Sequence, residues 1–262
     1  MPSFTLADGT EIAYRASGDA ALGTALFVHP FTHDGTIWMD QLRGLRDVRR
    51  CIAVDLRGHG RSDPNPNPML VDKEHVADLA EVIDQIEGPI DLVGVAFGGV
   101  LSAMAYEQRP DRIRSLTMMS SAFDSGEMDA ATKRYAAEMA RIAVVEDKGI
   151  LFRRMLEYVV SPGASLFAKA RYRSILERCP TETLVGYYAN KKFEPRPDLP
   201  AKLALPVFIP MSAFDSVIDL DGPLGQIPNL KTQKVGDAGR LLPIEAPEAL
   251  NAAIRDFWAG LA

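Results

Sequence analysis

Two cysteines, Cys51 and Cys179, are all that 262 residues contain. A pair so far apart makes neither a disulfide framework nor the clustered ligand set of a zinc site, and it predicts a reducing compartment. A basic surplus is missing as well: 29 Lys and Arg stand against 35 Asp and Glu, a formal net charge of −6. That excludes a nucleic-acid binder relying on bulk charge, because phosphate neutralisation needs a concentrated basic surface. It leaves room for a small basic pocket. No apolar run approaches the ~18 residues of a membrane span. The stretch Met1–Gly9 has no basic region leading into an apolar core, which predicts no signal peptide and a cytoplasmic chain. Internal repeats, a Gly-x-x-x-x-Gly-Lys phosphate loop, a Cys/His cluster and a dinucleotide glycine fingerprint are all absent. No metal and no cofactor is therefore expected, and the expected partner is a small molecule.

What is present is globular. Hydrophobic residues make up 47% and charged residues 24%, which suits one large domain or a core domain with an insertion. The chain opens as a hairpin, with Ser3–Leu6 and Glu11–Tyr14 joined at Asp8-Gly9. Buried strands follow at Ala25–Val28, Cys51–Val54, Ile90–Val95 and Ile113–Met119. Between them lie helical spacings at Trp38–Leu45, Val71–Ile86 and Gly98–Gln108. The three prolines of Ser62–Pro68 make that stretch a loop. Strand–helix alternation specifies an α/β fold, a mostly parallel sheet covered on both faces. The rhythm breaks over 125–199, where helices are expected at Met128–Val145, Gly149–Val160, Ser165–Arg178 and Thr181–Lys191. Strands return at Pro206–Pro210 and Leu230–Val235, and a last helix starts at Pro247. The organisation expected is a core of residues 1–124 and 200–262 interrupted by a helical insertion, 125–199.

Four segments fall at carboxyl ends of strands, where open α/β sheets bind ligands. They are His29-Pro-Phe-Thr-His-Asp34 with Trp38 beyond it, Asp55-Leu-Arg-Gly-His-Gly-Arg-Ser62, Gly94-Val-Ala-Phe-Gly-Gly99, and Gly236-Asp-Ala-Gly-Arg240. Together they resemble the α/β-hydrolase family, above all its small capped branch of lactonases, esterases and carbon–carbon bond hydrolases. The resemblance covers nearly the whole chain outside the insertion. It implies a doubly wound sheet of about eight strands, a helical cap formed by the insertion, and a site at the turn after Val95.

The family's catalytic residues carry over incompletely. Its Gly-x-Ser-x-Gly nucleophile elbow has Ala96 in the serine position, between Gly94 and Gly98. A methyl group forms no acyl intermediate. The family's histidine position holds Arg240, and arginine stays protonated at physiological pH. The acid position survives as Asp215. The resemblance also places oxyanion-hole N–H groups at Phe31 and Phe97, with Pro30 where the family has glycine.

Each candidate has a plainer role beside the functional one. Arg240 suits a ligand carboxylate, but an ion pair with the orphaned Asp215 is preferred. His33 stands at the pocket edge, where an ordinary pKa near 6.5 suits acid–base work, or it is a partly exposed loop residue. His29 and His59 read as loop-fixing residues, and His75 as solvated at a helix start. Ser121 and its neighbour Ser120 either face the pocket or close strand-end hydrogen bonds. Phe31, Trp38, Phe97 and Phe123 wall the cavity or belong to the core.

Three functions stay open. The first is a hydrolase-like protein with a degenerate triad that binds a small carbonyl- or carboxylate-bearing ligand. The second is a cofactor-independent lyase, decarboxylase, isomerase or cyclase using His33, Arg240 and backbone donors. The third is a hydrolase that activates water directly.

Overall fold

A computed structural model describes residues 2–66, 71–123, 134, 137–139, 141–142, 148–189, 196–215 and 217–261. Eight strands form one sheet: β1 (Ser3–Thr5), β2 (Glu11–Ser17), β3 (Thr24–Val28), β4 (Arg50–Val54), β5 (Ile90–Val95), β6 (Ile113–Met119), β7 (Val207–Met211) and β8 (Leu230–Lys234). Their order across the sheet is β1-β2-β4-β3-β5-β6-β7-β8. β1–β2 and β2–β4 are antiparallel and the remaining pairs parallel. The expected hairpin and mostly parallel sheet are both present, although β2 runs on to Ser17 to pair Tyr14–Ser17 with Val54–Cys51.

Helices α1 (Met39–Leu45), α2 (Val71–Asp84), α3 (Phe97–Gln108), α4 (Lys148–Val159), α5 (Leu166–Arg178), α6 (Thr181–Ala189), α7 (Leu242–Glu245) and α8 (Pro247–Ala259) are described. The expected helix at Met128–Val145 falls largely outside the described residues. α5 starts at a Ser165 cap whose side chain accepts from the Ala168 N–H, the usual device for one orphan donor of a first turn. No helix of the described residues is long and apolar enough to cross a membrane.

The central strands are continuously apolar because both their faces are covered. Ala25, Phe27, Ala53 and Val93 pack with Trp38, Leu45, Phe257 and Trp258. The alternate residues Leu26, Ile52 and Leu92 pack with Ile83, Val100 and Leu101. Period-two alternation of side chains sends neighbouring residues to opposite layers. Both cysteines are buried free thiols, and burial pushes each up to about 12, so they are inert packing groups.

Two features position the carboxyl ends. β6 and β7 pair only at Leu116–Val207 and Thr117–Phe208. Pro210 lies two residues further along β7 and has no N–H for the ladder, so the strand ends there are free to splay. The second feature is the Asp55 carboxylate, wholly buried after β4. It accepts from Arg15 Nη1 (2.8 Å), the Gly35 N–H (2.6 Å) and the Arg61 N–H (3.1 Å). Gly60 turns at φ 57° against that carboxylate, which leaves no room for a Cβ. The segment 55–62 is thus a structural knot. It joins β2 and the loop after β3, and Thr183 of α6 reaches it through the Gly58 carbonyl (2.8 Å).

Asp55→Ala would leave the half-buried Arg15 guanidinium, the buried Gly35 N–H and the Arg61 N–H without this acceptor. We expect a loss of about 3–5 kcal/mol in urea unfolding, with the Asp78→Ala variant, whose carboxylate is met by Arg57 through two hydrogen bonds, losing less.

Candidate functional site

β5 delivers the chain into a sharp turn at Ala96, where φ is 50° and ψ is −117° before α3 begins at Phe97. An L-residue there carries strain of about 1–3 kcal/mol. Its neighbours impose the conformation. The Ala96 N–H donates to the Met119 carbonyl at 2.8 Å. The Ala96 carbonyl accepts from the Gly99 N–H at 3.1 Å and from Ser121 Oγ at 3.0 Å. A Cβ on Gly94 would strike the Gly98 and Gly99 backbone, and one on Gly98 would strike the Val28 and His29 carbonyls. The glycines are therefore required by close approach, and the turn exists whatever side chain sits at 96.

Facing this turn is the loop after β3. His29 is buried in the plainer role expected: its Nε2 accepts from the Leu56 N–H (2.9 Å) and its Nδ1–H donates to the Pro30 carbonyl (2.8 Å). The His33 N–H donates back to the Pro30 carbonyl (3.2 Å), and Thr32 takes φ 67° within that tight turn. Pro30 therefore sits inside a formed turn. The Phe31 ring meets the Phe97 ring edge-on at 5.3 Å, so the two residues singled out for their N–H groups are neighbours.

His33 is not a partly exposed loop residue. Only 4% of it is accessible, and its ring stacks on Tyr172 of α5 at 5.5 Å. A carbonyl can only accept, so the contact of Nδ1 with the Phe31 oxygen (2.9 Å) puts the proton on Nδ1. The lone pair is then on Nε2, a buried atom with no hydrogen-bond partner among the described residues. Burial pulls the His33 pKa down to about 4, well under the ordinary value expected, and the ring is neutral at pH 7.

Asp215 and Arg240 are neighbours but form no ion pair among those of the described residues. Ser120, at the end of β6 with φ 49°, comes between them. Its Oγ donates to Asp215 Oδ2 at 2.6 Å and lies 3.1 Å from the Arg240 carbonyl oxygen. Asp215 Oδ1 accepts from the Val217 N–H at 3.0 Å. The Arg240 guanidinium is instead centred 3.8 Å from the Tyr158 ring of α4, a cation–π contact. Its N–H donates to the Val159 carbonyl (2.8 Å), and Glu245 accepts from the Gly239 and Ser161 N–H groups (3.1 and 2.9 Å). The end of α4 is thereby stitched to the loop that holds Arg240.

The remaining candidates are buried packing groups. Trp38 is fully buried against Phe27 at 5.2 Å, in the core rather than on a cavity wall. Phe123 is 2% exposed within the other apolar layer. Ser121 closes the strand end through the Ala96 and Met119 carbonyls. His75 is buried, not solvated; its Nε2 reaches the Arg57 carbonyl at 3.0 Å, and its ring sits 6.0 Å from that of His59. Sequence reasoning missed Tyr158 and Tyr172 altogether. They stand on helices whose docking no local pattern reveals.

A family model described as the alpha/beta hydrolase family matches residues 25–253. The chain is 23% identical over 271 aligned residues to the dihydrolipoyllysine-residue acetyltransferase component of the acetoin cleaving system of Cupriavidus necator, covering 98% of this chain and 69% of that one. It is 36% identical over 110 residues to lipase LipV of Mycobacterium tuberculosis, 42% of this chain and 40% of the lipase. That match thus spans well under two thirds of the lipase. Among solved structures, a thermophilic esterase of Thermogutta terrifontis shares the fold with a TM-score of 0.85 at 24% identity, over 99% of this chain and 97% of the esterase.

The buried neutral His33 makes acid stability testable. The unfolded ring protonates near 6.5 and the folded one near 4, so between those values the unfolded state binds more protons. Stability therefore falls as pH drops through that window, with His33 contributing about 3 kcal/mol of loss at its lower end. We expect His33→Gln to show a shallower decline in urea stability between pH ~6.5 and ~4. The decline should not vanish, because burial also lowers His29 and His59.

Proposed function

Because this chain belongs to the alpha/beta hydrolase family, we propose that it uses the family scaffold to bind a small carbonyl- or carboxylate-bearing molecule, without the serine-hydrolase mechanism. The observation that carries this reading is the elbow itself. Its strained geometry is complete, yet Ala96 presents a methyl group at the position from which a hydroxyl would attack. The partner position fails as well. Arg240 is a fixed cation stacked on Tyr158, and Asp215 is engaged by Ser120 and a backbone N–H. Among the described residues no proton acceptor is aligned to activate a nucleophile there.

Backbone donors at the start of α3 and in the loop of Phe31 are suited to hold a carbonyl or carboxylate oxygen, and need no nucleophile to do so. In this reading residues 125–199 are a helical cap over the pocket. The Tyr172 stack on His33 and the Tyr158 contact with Arg240 tie two of its helices to the ligand's surroundings.

A second reading is favoured by one atom. His33 Nε2 is a buried base with no hydrogen-bond partner among the described residues, the form required to take a proton from a bound carbon or hydroxyl acid. A non-hydrolytic lyase or isomerase would use it without a covalent step.

Esterase assays separate these readings from a conventional hydrolase. We expect the native protein and Ala96→Ser to turn over p-nitrophenyl acetate no faster than a heat-denatured control. Ala96→Ser with Arg240→His should gain at least ~100-fold over Ala96→Ser alone, since it restores nucleophile and base together. Covalent phosphonate labelling of the native chain at the turn after β5 would sink the proposal. The second reading requires that a carboxylate ligand found by melting shift be converted, as seen by mass spectrometry, and that His33→Gln abolish conversion while leaving binding intact.

A further inference from the structure

The two barest large hydrophobic side chains of the described residues are consecutive. Leu166 is 84% exposed and Phe167 is 73% exposed. They open α5, while Tyr158, 51% exposed, stands in the last turn of α4. All three flank the connection 160–165, so they form one tip. Scattered apolar side chains on a surface need no explanation, but a cluster does.

The tip is uncharged, reading Val-Val-Ser-Pro-Gly-Ala-Ser-Leu-Phe-Ala from Val159 to Ala168. A Cβ on Gly163 would meet nothing within 4 Å, so the connection projects into open space. Its two ends are fixed. Glu245 accepts from the Ser161 N–H at 2.9 Å, and Ser165 Oγ accepts from the Ala168 N–H at 3.1 Å. A surface held this way has little freedom to lose when it docks.

The order of chemistry along α5 says what covers the tip. Lys169 follows Leu166 by three residues, and Arg171 follows Phe167 by four. These spacings stack side chains on one helix face. Each bare apolar side chain therefore has a cation about 5.4 Å behind it, one helical turn along the axis. Arg171 is paired with Asp40 and, further on, Arg173 with Glu177, so the argument rests on Lys169. Acidic residues are absent from Tyr158 to Leu176, in a chain that carries 35. On the other flank the Arg240 guanidinium is centred 3.8 Å from the Tyr158 ring. Apolar side chains lead and cations stand one turn behind. That is the layering of a phospholipid surface, where acyl chains lie beneath phosphates. A protein partner would impose no such order of depth.

We propose that this tip docks on a bilayer containing anionic phospholipid, with Leu166 and Phe167 entering the boundary between headgroups and acyl chains and Lys169 at the depth of the phosphates. Such docking needs no membrane span. It is independent of the reading of the Ala96 pocket.

Sedimentation with sucrose-loaded vesicles at ~1 mM lipid tests it. The native chain should bind phosphatidylcholine vesicles containing ~30% phosphatidylglycerol several-fold better than phosphatidylcholine alone, and the difference should shrink at ~0.3 M salt. Leu166→Ser combined with Phe167→Ser should weaken binding at least about tenfold. Lys169→Glu should weaken binding to the anionic vesicles and not to phosphatidylcholine. Leu166 and Phe167 are exposed, and unchanged melting temperatures will show that the fold of each variant is intact. Phe167→Trp should add an emission that shifts to the blue on vesicles and is quenched by lipids brominated in the acyl chains. A native chain left in the supernatant with anionic vesicles, equal binding to both vesicle types, a double serine variant or Lys169→Glu that binds like the native chain, or an unmoved Phe167→Trp emission would each overturn the proposal. So would a dimer in sedimentation velocity that the double serine variant abolishes, without vesicle binding, since the occupant would then be a second copy of the chain.

Discussion

Close backbone approach around Ala96 is the constraint on which the rest of the site depends. β5 must hand over to α3 within one residue, at a φ and ψ that an L-residue adopts only under strain. Gly94 and Gly98 permit it because a Cβ on either would collide with main-chain atoms. Met119, Gly99 and Ser121 then hold the Ala96 peptide groups from three sides. The turn starts α3 at Phe97 and brings that ring against Phe31. None of this refers to the side chain at 96.

The region of Asp215 shows how a carboxylate and an arginine brought near each other can take other partners. A buried or half-buried carboxylate needs hydrogen bonds to stay charged. Here Ser120 Oγ and the Val217 N–H supply them, which leaves Arg240 without a structural need for Asp215. Its guanidinium turns outward to Tyr158. The gap that admits Ser120 follows from the brief β6–β7 ladder, cut short ahead of Pro210. A charge-pair argument from sequence expects the two side chains to meet, whereas Ser120 links the Asp215 carboxylate to the Arg240 backbone carbonyl. It fails on their contact because it has no account of a third, neutral residue arriving from another strand.

That failure is typical of what is legible in this chain. The central strands follow from apolar runs such as Ala25–Val28 and Ile90–Val95, because burial on both faces leaves a continuous signal. The elbow is legible because glycine is compulsory at fixed spacing. Asp55–Ser62 is legible as a motif, though its role as the knot holding Arg15, Gly35 and Arg61 emerges only with distances. The histidines were harder. His75 heads a helix, which reads as solvated, yet His59 and the Arg57 carbonyl bury it. His33 carries an ordinary-looking loop position and a pKa pulled far from ordinary, because a ring 139 residues on in sequence closes over it.

The loop from His33 to Ile37 and the helix α5 meet through two sets of contacts. On the loop, His33 turns inward to Tyr172, while the next residue, Asp34, turns to Arg178. On α5 the same division falls between adjacent residues, Arg171 reaching Asp40 and the Thr36 carbonyl while Tyr172 covers His33. Adjacent residues on a helix point about 100° apart, so a single rigid helix serves both sides. A shift of α5 away from the loop cannot open one side alone: it breaks the Arg171 and Arg178 pairs and uncovers the His33 ring in the same movement. Uncovering removes the burial that keeps that ring neutral. The burial that keeps His33 neutral and the Arg171 and Arg178 pairs therefore rest on the same helix.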